Sequence, residues 1–103
     1  DQVVPLLSLG GKGVISVVSN VKPELVHNCC KAWFDGDTAK ARELQLEILP
    51  LCDALFCEVN PIPVKQALAL EGIPAGLPRL PLTPLSGSHL PVLEQMLSAM
   101  PEP

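Results

Sequence analysis

Aromatic residues are scarce: Trp33, Phe34 and Phe56 are the only three, and tyrosine is absent. The core must therefore be aliphatic, and nucleic-acid bases would find few stacking platforms. Basic residues are also few. Seven Lys and Arg against eleven Asp and Glu leave a formal net charge of −4 and a pI near 4.9. That balance argues against nucleic acid as a partner, because phosphate recognition needs clustered Lys and Arg. No apolar run approaches the roughly 18 residues of a membrane span; the uninterrupted stretches are short, such as Val14-Ile15 and Val17-Val18 around Ser16. No CxxC pair occurs either. Cys29, Cys30, Cys52 and Cys57 follow no disulfide or metal spacing and read as reduced, buried thiols of a cytosolic protein. The chain opens on Asp1, without Met or a basic leader, as a processed chain or a fragment would.

What remains is apolar and rich in proline. At 103 residues and 11.0 kDa the chain makes one small domain, burying about 65% of its unfolded surface. Hydrophobic residues at 48% and a mean hydropathy of +0.34 exclude disorder throughout. Twelve prolines are about twice the usual share.

Val3, Val4, Leu6, Leu7 and Leu9 predict a short helix closed by Gly10-Gly11, with Pro5 tolerable only in a first turn. Residues 13–18 are β-branched and nearly apolar throughout, as a parallel strand buried on both faces should be. Pro23 and Glu24 then suit a helix start, with Leu25, Val26, Cys29, Cys30 and Trp33 along one face. Asp37 is the expected N-cap of the longest helix, over 38–57. Ala41, Leu44, Ile48, Leu51 and Leu55 form one stripe of it. Leu46, Leu49 and Phe56 form a second, so the helix should be covered on two sides, and Pro50 should kink it.

Asn60-Pro61-Ile62-Pro63 starts another helix, with Val64, Ala67 and Leu68 inward and Gly72 at its exit. Pro74, Pro78, Pro81 and Pro84 leave an extended, ordered stretch in which Leu77, Leu80, Leu82 and Leu85 recur. Ser86 or Ser88 should cap a last helix carrying Leu90, Leu93, Met96, Leu97 and Met100, ended by Pro101. One strand cannot make a sheet. The pattern is half of a βαβ unit with its neighbours missing: the end of a larger α/β protein, followed by helices.

Few residues suggest chemistry. Gly10-Gly11-Lys12-Gly13 precedes the strand and lacks the Ser or Thr of a phosphate loop, so turn duty is expected. His27 with Cys30 or Lys31 offers no third zinc ligand. Ser16 has no nearby His and no nucleophile elbow, and His89 has no evident partner. Asp35, Asp37, Glu43, Glu47, Asp53 and Glu58 read as solvated faces and caps. No nucleophile, base and oxyanion donor come together, and no metal site is expected.

Three ordered motifs nevertheless stand out: Gly10-Gly-Lys-Gly-Val-Ile-Ser-Val-Val-Ser-Asn-Val21, Asn60-Pro-Ile-Pro-Val-Lys65 and Arg79-Leu-Pro-Leu-Thr-Pro-Leu85. With Gly36-Asp-Thr-Ala-Lys-Ala-Arg42 between the first two, they closely resemble the C-terminal part of the dihydrodipicolinate synthase family. The resemblance covers essentially the whole chain. It implies an α/β fold: the last strand and flanking helices of a (β/α)8 TIM barrel, followed by a C-terminal helical domain, and mainly helical as a fragment. Residues 1–35 would end the barrel as helix, eighth strand and helix, and residues 36–103 would be the helical domain. A whole barrel needs roughly 250 residues and does not fit in this chain.

The family condenses pyruvate with aspartate 4-semialdehyde through a lysine Schiff base, in lysine (diaminopimelate) biosynthesis. Its catalytic lysine, tyrosine relay and Gly-Glu motif lie in earlier strands without counterpart here. Lys12, Lys22, Lys31, Lys40 and Lys65 sit in other motifs, so this chain alone should be inactive. Ile15 matches the last-strand isoleucine whose carbonyl lies near pyruvate, and it is also a plain barrel-core residue. The resemblance further implies a cytoplasmic lyase without cofactor, a homotetramer with residues 3–9 as a candidate subunit contact, and the remainder of the barrel as partner. Two alternatives stay open. One is another pyruvate-dependent aldolase, of the sialic acid or keto-sugar acid lyase type; the other is a non-catalytic helical interaction module.

Overall fold

The computed structural model describes residues 1–100. Among them are five α-helices, α1 (Val3–Ser8), α2 (Pro23–Phe34), α3 (Thr38–Leu55), α4 (Ile62–Leu70) and α5 (Leu90–Ala99), with a 3₁₀ turn at Val18–Asn20 and no strand. The chain divides into two compact units, one of Asp1–Pro50 and one from Leu51 onward.

In the first unit α1 packs on α2, and α2 on the 3₁₀ turn. Leu7, Val18, Val26, Cys29, Ala41, Leu44 and Ile48 are its buried apolar residues. Pro23 opens α2 in the first turn beside Glu24, and Lys31 sits in the last turn, each charge complementing the helix dipole. The helix closes through a left-handed Gly36 (φ +87), whose N–H reaches the Trp33 carbonyl while the Asp37 N–H reaches that of Ala32. Asp37 then caps α3, its Oδ1 accepting from the Lys40 N–H at 3.0 Å.

In the second unit α4 packs on α5 around Ile62, Pro63, Val64, Ala67 and Leu93. The same closure ends α4: the Gly72 N–H bonds Ala69 and the Ile73 N–H bonds Leu68. Helix starts and stops therefore follow proline, capping aspartate and glycine.

Several expectations need correction. Residues 13–18 form no strand: 11–16 belong to no regular element, and Val18 already belongs to the 3₁₀ turn. A strand exists only against a partner strand, and the described residues offer none. The long helix ends at Leu55 instead of 57, with Pro50 inside it. Its first stripe, Ala41, Leu44, Ile48, Leu51 and Leu55, is wholly buried, but the second is open, with Leu46 60% and Phe56 53% exposed. Leu68 is only half-buried. Neither Ser86 nor Ser88 caps α5, whose N-cap position is His89; a carboxylate takes the Ser86 hydroxyl instead. Leu77 and Leu80 lie exposed in the proline segment. Pro101, expected to end α5, lies outside the described residues.

Candidate functional site

Ile15 sits in the stretch 11–16, which belongs to no helix or strand, fully exposed at 105%, beside the exposed Val14. The run thus leaves two β-branched side chains, Val14 and Ile15, in water. The stretch is framed on both sides. Before it, α1 closes through Gly10 (φ +99), and a Cβ at Gly11 would stand 2.8 Å from the Leu6 carbonyl oxygen, so the glycines serve the turn. After it, Ser16 Oγ accepts from the Ser19 N–H at 3.0 Å and the Ser19 hydroxyl returns to the Ser16 carbonyl. Ser16 is thus a turn cap and not a nucleophile.

A second cluster joins residues that the sequence reading left apart. Glu58 Oε2 accepts from the Ser86 hydroxyl at 2.8 Å and the Ser86 N–H at 3.1 Å, and lies 2.6 Å from His89 Nδ1. The Ser86 hydroxyl is also 3.1 Å from both Ser88 Oγ and His89 Nδ1. His89, followed by Ser86, holds the Glu58 carboxyl below its ordinary value, so Glu58 is not a merely solvated residue. Serine, histidine and glutamate suggest a hydrolytic triad, but the connectivity is wrong. In a triad the acid and the serine bind opposite ring nitrogens; here both meet Nδ1. The cluster ties the turn before α5 to Glu58. Its only sequence signal was a Ser-Gly-Ser-His turn before a helix that lacks a cap of its own.

The lysines are placed as ordinary side chains. Lys31 pairs with Asp35, Lys40 lies 3.3 Å from Glu43, and Lys65 donates to the Ala75 carbonyl at 2.8 Å. Lys12 is exposed. The four cysteines are free thiols. Cys29 is buried with its Sγ 3.5 Å from the Ala41 carbonyl; burial, and secondly Cys30, raise its pKa. Burial likewise raises Cys30 and Cys57, keeping these thiols protonated. His27 is exposed on α2, and among the described residues no three His, Cys, Asp or Glu side chains gather as a metal site. None of the described helices is long and apolar enough to cross a membrane.

Enzymes of one class contain this arrangement of helices over about a third of their length. The dihydrodipicolinate synthase of Thermotoga maritima matches 94% of this chain with 33% of its own, at a TM-score of 0.91 and 45% identity. The chloride-inhibited dihydrodipicolinate synthase of Acinetobacter baumannii, complexed with pyruvate, matches 91% of this chain with 32% of its own, at 0.84 and 41%. The chain belongs to the dihydrodipicolinate synthetase family, whose family model matches residues 1–100. The 4-hydroxy-tetrahydrodipicolinate synthase of Caldicellulosiruptor bescii is 50% identical over 97 residues, 94% of this chain and 33% of the relative. The chain therefore spans about a third of the length of the curated relatives it matches. These relatives favour neither a sialic acid or keto-sugar acid lyase nor a non-catalytic module.

Proposed function

We propose that the chain works as the C-terminal segment of a 4-hydroxy-tetrahydrodipicolinate synthase, condensing pyruvate with aspartate 4-semialdehyde once the rest of a (β/α)8 barrel is present. Residues 1–35 complete the barrel, with 13–18 as its eighth strand, and residues 36 onward form the C-terminal helical domain. The observation that carries this is the unpaired, β-branched stretch around Ile15 in a chain about half identical to such synthases. Supplied with neighbouring strands, that stretch gains its ladder and Val14 and Ile15 lose their exposure to water.

In this reading a lysine from the missing portion attacks the pyruvate keto carbon and loses water to form the Schiff base. A methyl proton of the iminium passes to a base of that portion, and the resulting enamine carbon bonds to the aldehyde carbon, whose oxygen takes up a proton. Attack of the adduct's own amine on the iminium carbon then displaces the lysine. Ile15 contributes its backbone carbonyl near pyruvate; it takes no proton and forms no bond to substrate. The pyruvate complex of the Acinetobacter relative supports the choice of keto acid. The holoenzyme is a cytoplasmic homotetramer with residues 3–9 at a subunit contact.

Borohydride trapping tests the division of labour. With pyruvate, this chain alone should gain no mass on Lys12, Lys22, Lys31, Lys40 or Lys65. An added barrel portion should become labelled on its own lysine and yield the condensation product. A stoichiometric adduct on any lysine of this chain would overturn the reading.

A further inference from the structure

Helix α1, expected from its apolar spacing, has little in its own sequence to hold it. It has six residues, well short of the ~12–15 at which isolated helices become even marginal. It begins with β-branched Val3 and Val4, and Val4 precedes Pro5, a position biased away from the helical region. Its N-cap residue, Gln2, makes no side-chain cap, and no acidic residue lies in the first turn. The missing cap comes from another helix. Gln45, on α3, is the one buried polar side chain among the described residues, at 6% exposure. Its Oε1 accepts from the Val4 N–H at 2.8 Å, and its Nε2 donates to the Asp1 carbonyl at 3.0 Å, across 41 and 44 residues. One amide thus satisfies an orphan donor of the first turn and a carbonyl just outside it, which is the work of an N-cap.

We infer that Gln45 is a surrogate N-cap that makes α1 conditional on α3, and is thereby a positioning residue for the stretch that carries Ile15. The mechanical link is short. Gln45 holds the first turn, Leu7 is buried near the C-terminal end, and the Gly10-Gly11 closure delivers the chain into residues 11–16. Without the amide, α1 loses its anchor at one end and the direction of the following stretch loosens. The consequence for substrate rests on the family reading above; the capping role does not.

Hydrogen exchange on this chain tests the capping role. Gln45→Met keeps length and bulk but removes both bonds. The amides of Leu6, Leu7 and Ser8 should exchange about five- to tenfold faster, the factor a lost cap corresponds to, while those of α2 keep their protection. Gln2→Asp added to Gln45→Met supplies a local cap and should restore α1; it should do so even if the single variant fails to fold. Unchanged α1 exchange, or a uniform loss across α1 and α2 that Gln2→Asp leaves unrepaired, would overturn the inference.

In the full polypeptide that carries this segment, Gln45→Met should raise KM for pyruvate severalfold at nearly constant kcat, with recovery in the double variant. An unmoved KM beside altered α1 exchange would overturn the positioning role. Absence of turnover before any substitution would count against the family reading alone, leaving exchange to decide the capping role.

Discussion

Residues 11–16 of the first unit contain no proline, whereas residues 73–85 of the second contain Pro74, Pro78, Pro81 and Pro84. Both stretches are extended or irregular, and both expose large apolar side chains: Val14 and Ile15 in one, Leu77 and Leu80 in the other. Apolar exposure therefore does not separate them. The backbone does. Each proline lacks an N–H and cannot donate to a ladder, so the second stretch is unsuited to become a strand. It is tied down within its own unit instead, by Lys65 to the Ala75 carbonyl and by Glu58 to Ser86. The first stretch keeps every donor and uses β-branched side chains, which is what an edge awaiting a partner has. One unit fastens its proline stretch with its own side chains; in the other, residues 11–16 make no ladder, and the proposed function gives them their partners.

The strongest way to sharpen that contrast is to damage one core at a time. Ile48→Ala in the first unit and Leu93→Ala in the second each remove a side chain that is almost fully buried. Each should cost about 2–5 kcal/mol in urea unfolding, with exchange protection falling chiefly in the unit that carries the change. Leu80→Ala, at 88% exposure, should stay within ~0.5 kcal/mol. Equal loss of protection in both units from Leu93→Ala would break the distinction.

Val14→Pro addresses the ladder itself. It should leave this chain's helices intact yet weaken association with a barrel portion by about tenfold or more, through one lost ladder bond and the ring's clash. Recovery of labelled product from the mixture would report it. Undiminished complementation would mean that residues 11–16 do not pair as a strand.

The helices were legible because their boundaries are written locally. Pro23 with Glu24, Asp37 as a cap, Gly36 and Gly72 as closures, and the stripe from Ala41 to Leu55 each act within a turn or two of chain. The strand expected over 13–18 rested on composition alone and is not formed, since a ladder needs partner strands and the described residues hold none. Two polar links were illegible for a different reason. Glu58 and His89 are 31 residues apart, and Gln45 and Val4 are 41 apart. No periodicity joins them; packing brings each pair together, and a lone Gln or Glu on a helix or turn looks like surface until then. Ile15 was found by resemblance alone, because an aliphatic residue in an aliphatic run has no chemical signature.

The helix closures rank next in size. Gly36→Ala in the first unit and Gly72→Ala in the second each place a Cβ at positive φ, +87° and +81°. Neither Cβ would meet another atom within 4 Å, so backbone strain is the whole cost. About 1–2 kcal/mol is expected at each site by urea denaturation. Similar values would show that the units share one way of ending helices, whatever separates their extended stretches. A neutral Gly72→Ala would restrict that device to the first unit.

The smallest effect concerns the second unit's own fastening. Glu58 sits with His89 and Ser86 around one carboxylate oxygen, and they hold its pKa below the ordinary value. Because the folded form has the lower pKa, the unfolded chain takes up its proton first as pH falls. The contribution is therefore fully present above the ordinary glutamate value of about 4.3 and is lost as pH drops through the folded value. Glu58 and His89 are both partly exposed, so water and salt screen the pair and the effect is modest. Glu58→Gln keeps an acceptor for the Ser86 N–H but removes the charge. The stability difference between parent and variant should shrink as pH falls through and below the ordinary glutamate range. Amide exchange at Ser86 and His89, followed across that range, reads the fastening directly. A difference that instead grows as pH falls below about 4.3 would mean that the carboxylate is held in its protonated form, and that this unit does not fasten its loop by charge.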